Sequence, residues 1–110
     1  MPETQYKETR IPRFSFVAEA EVTWKEDKSR ILTRISELSA QGCYVDTVNP
    51  FPMDTDLHFL IRYGCSTCEL RGKVIYTHSG FGVGVLFGEI APIHRATLNS
   101  WLEELARKSA

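Results

Sequence analysis

From residue 14 onward the chain is written mostly in a period of two. Phe16, Ala18, Ala20, Val22 and Trp24 alternate with Ser15, Glu19, Glu21 and Thr23, which describes a strand with one face in a core and one in water. After the charged turn KEDKS the pattern resumes through Ile31, Thr33 and Ile35, in a second strand spanning 30–36. A short third strand covers 43–47. The fourth carries Leu57, Phe59, Ile61 and Tyr63 on one side, and the fifth Leu70, Gly72, Val74 and Tyr76. In the sixth, Phe81, Val83, Val85 and Phe87 share a face, opposite Gly82, Gly84 and Leu86. Glycines at alternate strand positions let another backbone approach closely or mark a bend.

Only the end changes period. Leu98, Trp101, Leu102 and Leu105 fall at i, i+3, i+4 and i+7 after Pro92, which suits a first helical turn. Turn residues separate the strands, and the VNPFPMDTD segment (48–56) is a loop, because Pro50 and Pro52 cannot donate to a ladder. Six short strands followed by one amphipathic helix predict a mostly β fold. The expected form is a six-stranded antiparallel β-barrel with a C-terminal α-helix laid across it. Residues 1–13, polar and without periodicity, read as a flexible arm, and 14–110 as a single domain.

Composition narrows the function. The 110 residues carry a net charge of −1, from 13 Lys and Arg against 14 Asp and Glu, so no basic face for DNA or RNA is expected. No apolar run has the length of a membrane span, and the N-terminus lacks a signal-peptide core, which predicts a cytoplasmic protein without membrane insertion. Three cysteines, an odd number, suit a reducing compartment.

Catalytic chemistry finds little support. GFGVG (80–84) sits inside a strand pattern with no helix after it, and His58, His78 and His94 fall in three separate elements. No catalytic residues and no resident cofactor are expected. Cys65 and Cys68 form a C-x-x-C, which could bind zinc or exchange disulfides. The pair sits at an expected hairpin tip without a helix and lacks two further ligands, so it reads as ordinary hairpin cysteines, with no metal site.

Two further features carry chemistry that suits a nucleotide, although each alone reads as structure: the arginines as a solvated tail, and the loop as a turn. Arg10 and Arg13 stand on the arm just before the first strand; guanidinium groups stack on purines and fork onto phosphate oxygens. The stretch ELSAQGCYV interrupts the strand pattern with Glu37, Ser39 and Gly42 at E-x-S-x-x-G spacing. A carboxylate accepts two hydrogen bonds from a guanine N1–H and N2–H₂ edge, a serine hydroxyl adds another, and glycine permits a tight turn.

Together, RIPRF before the first strand, SELSAQGCYV after the second, the NPFPMDT loop and GFGVGVLF before a helix resemble the PilZ domain family, the bacterial receptor module for cyclic di-GMP. The likeness runs from about Arg10 to the C-terminal helix. It implies a six-stranded barrel with a flanking helix, and a ligand site joining an R-x-x-x-R arm to a D/N-x-S-x-x-G loop. Arg13 matches the second arginine, Ser39 the serine and Gly42 the glycine. Thr9 stands where the first arginine is expected, with Arg10 beside it as the candidate substitute, and Glu37 stands where Asp or Asn is expected. The implied function is signal transduction by a cyclic di-GMP effector whose conformation or partner binding changes on ligand capture, with Arg10, Arg13, Glu37, Ser39 and Gly42 as the site. A single domain of this size is expected to act on a protein partner. The alternative is a PilZ-like adaptor that binds protein without the nucleotide.

Overall fold

The computed structural model describes residues 11–24, 29–49 and 51–109. Among the described residues six strands, β1 (Phe14–Trp24), β2 (Arg30–Leu38), β3 (Gly42–Asp46), β4 (Asp56–Tyr63), β5 (Ser66–His78) and β6 (Gly82–Phe87), precede one helix, α1 (Pro92–Ser109). The strands close into an antiparallel barrel in the order β1-β2-β3-β6-β5-β4, with β4 returning to β1. Closure leaves no long open edge.

Inward positions follow the alternation of the sequence. Ala20, Val22, Ile35, Val45, Phe59, Ile61, Val74 and Val83 are fully buried. Aromatic rings seal the two ends. At one, Trp101 of α1 lies 5.6 Å from both Phe16 and Tyr63, while Leu98 and Leu105 continue the apolar stripe. At the other, Phe51 of the proline-rich loop is buried edge-on against Trp24 at 4.9 Å.

Strand β5 outruns its neighbour: β6 pairs with it only from Gly72 onward. The exposed edge is closed by the segment leading into α1 and by the first turn of α1 itself. Gly88 N–H donates to Arg71 O at 2.9 Å, and Glu69 N–H donates to His94 Nδ1 at 3.1 Å. A side chain thus satisfies a ladder donor that no strand reaches.

The sequence pattern misplaces several positions, and β-bulges explain the most consequential. Ile35 pairs with Val45 and Glu37 with Tyr44, leaving Ser36 as an extra residue in β2. Likewise Val74 pairs with Val85 and Tyr76 with Gly84, leaving Ile75 extra in β5. Each inserted residue reverses the facing of the residues beyond it. Tyr76, expected on the face of Leu70 and Val74, therefore lies outside the barrel. Strand β2 also runs on through Leu38, so Glu37 belongs to a strand and not to the turn. The β4–β5 turn is shorter than expected, with Gly64 at φ 62° and Cys65 beside it, and Cys68 lies within β5. Phe81, expected to face inward, is 74% exposed in the β5–β6 turn.

Candidate functional site

The β2–β3 turn is held by its own serine. The Ser39 hydroxyl accepts the N–H groups of Gln41 at 3.2 Å and Gly42 at 3.1 Å, and Ser39 N–H donates to Gly42 O at 2.9 Å. Ser39 is the one buried polar side chain among the described residues. Its hydroxyl is engaged inside the turn, where it fixes the angle at which β2 and β3 diverge. Gly42 is required sterically, since a Cβ there would lie 2.3 Å from Val85 O. The turn also holds its neighbours: Gln41 O accepts Phe87 N–H at 2.7 Å, and Ala40 O accepts from Arg95 Nη1 of α1 at 3.0 Å.

Beside the turn, Arg13 and Glu37 form an exposed ion pair. Arg13 Nη1 is 3.6 Å from Glu37 Oε1, and the side chains are 64% and 45% exposed. A pair so open contributes little to stability, which leaves both groups available. Arg10, the other candidate guanidinium, and Thr9 lie outside the described residues.

The bulges line up an outer face in two rows. One runs Ser15, Glu37, Tyr44, Gly84, Tyr76; the next runs Glu19, Arg34, Asp46, Gly82, His78. The glycines make room for rings. A Cβ on Gly84 would meet the Tyr76 ring at 2.3 Å, and one on Gly82 would meet Val45 O at 2.2 Å and the Tyr44 ring at 2.8 Å. Tyr44 lies 6.3 Å from Tyr76 and 5.8 Å from His78, with Tyr76 and His78 5.1 Å apart between centroids. The Tyr44 hydroxyl and His78 Nδ1 share a hydrogen bond of 3.0 Å. Desolvation, then Tyr76, Asp46 and Glu37, hold the Tyr44 phenol above its ordinary range, so it stays protonated at neutral pH.

Arg13, Ser36, Glu37, Tyr44, Tyr76 and His78 line one open cleft of about 580 Å³, a size that suits a nucleotide. A guanidinium, a carboxylate and a shelf of rings meet there. Rings and guanidinium stack on a base, guanidinium also grips phosphate, and carboxylate reads a donor edge. Arg13 and Glu37 come together at the cleft, while Ser39 and Gly42 shape its end without lining it. Sequence reasoning missed Tyr44, Tyr76 and His78. Gly82 and Gly84 were the available signal, since each leaves a slot that an aromatic on a neighbouring strand fills.

The cysteines do not form a shared site. Cys65 is exposed at the turn, whereas Cys68 is buried, with its thiol donating to His94 O at 3.4 Å. Burial pushes the Cys68 thiol up to about 11, against a smaller lowering by Arg95, and also raises that of buried Cys43. Among the described residues no group of three His, Cys, Asp or Glu is placed to hold a metal ion, and no helix is long and apolar enough to cross a membrane.

Comparison with known proteins bears on the same features. The family model described as PilZ domain matches residues 7–104. No curated protein matches the chain. Among solved structures, the PilZ domain of YcgR from Escherichia coli, determined with c-di-GMP, is similar with a TM-score of 0.74 and 15% identity, over 91% of this chain and 92% of that one. The Bacillus subtilis inhibitor of motility MotI/DgrA has a TM-score of 0.71 and 19% identity, over 91% of this chain and 50% of its own. The Borreliella burgdorferi PlzA protein, in complex with c-di-GMP, has a TM-score of 0.65 and 16% identity, over 89% of this chain and 43% of its own. The chain thus spans half or less of the two longer proteins. At these identities the likeness is one of fold.

Proposed function

Because the chain belongs to the PilZ domain family, we propose that it is a cyclic di-GMP receptor that acts by binding and catalyses nothing. The observation that carries this reading is the single cleft in which Arg13 and Glu37 stand beside the rings of Tyr44, Tyr76 and His78. In the proposed complex Tyr76 and Tyr44 support one guanine, and Glu37 accepts its N1–H and N2–H₂. Arg13, with Arg10 from the arm, covers the other face and the phosphates. Ser39 and Gly42 act through the turn, holding Glu37 and Tyr44 at the cleft.

Capture of the ligand changes the conformation of the domain or the surface offered to a protein partner in the cytoplasm. The hydrogen bond from Arg95 to Ala40 O ties the turn to α1, so the helix is the element placed to report occupancy. A second reading, an adaptor that binds protein without nucleotide, is favoured by Thr9 and Glu37 standing at two positions of the ligand motif.

Calorimetric titration with cyclic di-GMP decides between them. A hydrogen bond to a charged group contributes about 1.5–3 kcal/mol, and about 1.4 kcal/mol is tenfold in affinity. The receptor reading expects micromolar binding that weakens at least tenfold in Arg13→Ala and in Tyr76→Ala. Absence of heat at several hundred micromolar ligand contradicts it and supports the adaptor.

A further inference from the structure

The outer face carries a second arrangement of the same chemistry, one row along. Arg34 Nε donates to Asp46 Oδ2 at 2.9 Å, and Ser36 Oγ donates to Asp46 Oδ1 at 2.7 Å. The Thr33 hydroxyl donates to the backbone carbonyl of the same residue. Asp46 is therefore oriented from three neighbouring residues of β2. A carboxylate has about four acceptor positions and a guanidinium five donors, so each keeps capacity for a ligand. The side chain of Arg34 is 63% exposed and that of Asp46 27%.

Thr33, Arg34 and Asp46 border an open cleft of about 780 Å³ that also includes Thr47, Val48 and Phe81. Its walls share Tyr44 and His78 with the cleft of Arg13 and Glu37, so the two meet at the Tyr44–His78 hydrogen bond. Phe81 and Val48, 74% and 73% exposed, have no core role, yet they flank this second space. On β3, Tyr44 and Asp46 are two residues apart, a rise of about 6.8 Å. An arginine–carboxylate pair on each side of a shared aromatic wall suits a ligand whose two halves are alike.

We propose that Arg34 and Asp46 form a second guanine-reading station, so that both halves of one cyclic dinucleotide are held on the barrel itself. This rests on the receptor reading above. Asp46 accepts the N1–H and N2–H₂ edge of the second guanine, Arg34 forks onto its O6 and N7 or the adjoining phosphate, and Phe81 covers the base.

The substitution Asp46→Asn separates this from simple charge attraction. Cyclic di-GMP is an anion, so removing a negative charge from a site that contributes only electrostatics leaves affinity equal or higher. Removing an acceptor that reads guanine lowers it. Calorimetry with cyclic di-GMP is expected to show at least a tenfold loss in Asp46→Asn and in Arg34→Ala. Arg34→Lys keeps the charge and loses the fork; it is expected to lose several-fold, with an unchanged urea midpoint to show that the fold is intact. Wild-type binding that persists in Arg34→Lys and Asp46→Asn overturns the second station and leaves the receptor reading standing. A wild-type protein that binds nothing overturns both.

Discussion

Gly82 and Gly84 are neighbours on one strand and one face, yet the structure assigns them opposite tolerances to a methyl group. At Gly82 a Cβ would lie 2.2 Å from Val45 O, a backbone atom in the paired strand. Restoring an ordinary contact would move that carbonyl by roughly 1 Å, at the cost of ladder bonds between β3 and β6. Overpacking costs about 1–3 kcal/mol and each lost hydrogen bond about 0.5–1.5 kcal/mol, so Gly82→Ala is expected to destabilise by about 2–4 kcal/mol. At Gly84 the obstacle is the Tyr76 ring at 2.3 Å, and that ring can turn outward. Alanine is more favourable than glycine in a strand by about 0.5–1 kcal/mol, against a lost ring contact of about 0.5–1.5 kcal/mol. Gly84→Ala should therefore change stability by less than about 1 kcal/mol, yet displace Tyr76 and weaken cyclic di-GMP binding. Urea unfolding detected by the fluorescence of Trp24 and Trp101 measures both variants. Equal destabilisation, or a larger loss at Gly84, would refute the reasoning about which neighbours can yield.

The same contacts set other outcomes. Ser39→Ala removes the acceptor of the Gln41 and Gly42 N–H groups and is expected to cost about 1–3 kcal/mol in urea unfolding, because those donors are left within the turn. Arg95→Ala cuts the tie between α1 and the turn; amide exchange is expected to quicken at residues 39–42 and to stay unchanged in β4. Stability is expected to fall at high pH. The Cys68 thiol is raised by burial from 9.0 to about 11, so the folded state keeps a proton that the unfolded chain releases. Its contribution is fully present below pH 9 and is lost as pH rises to about 11. Urea midpoints taken between pH 7 and 10.5 should decline over that window, and less steeply in Cys68→Ala.

The barrel was legible because its strands keep a period of two between the bulges, and the helix because its apolar stripe changes that period. What alternation could not carry was the facing of residues beyond a bulge. Nothing in the sequence marks Ser36 or Ile75 as unpaired, since a bulge arises from the mismatch between two strands and not from one. Tyr76 was therefore expected inside, and the aromatic shelf went unseen. The turn was legible as a motif but not in its division of labour. Glu37 stands on strand β2 facing the cleft, while the Ser39 hydroxyl is spent on Gln41 and Gly42. C-x-x-C spacing likewise says nothing of depth: one thiol is at the surface and the other in the core.

The receptor reading turns on which face of the barrel receives the nucleotide. An amide-resolved NMR titration of the full chain with cyclic di-GMP tests that most directly. Shifts concentrated at Glu37, Tyr44, Tyr76, His78 and Gly84, with β4 unmoved, are the result it predicts. Shifts centred elsewhere, or none at several hundred micromolar ligand, would contradict it.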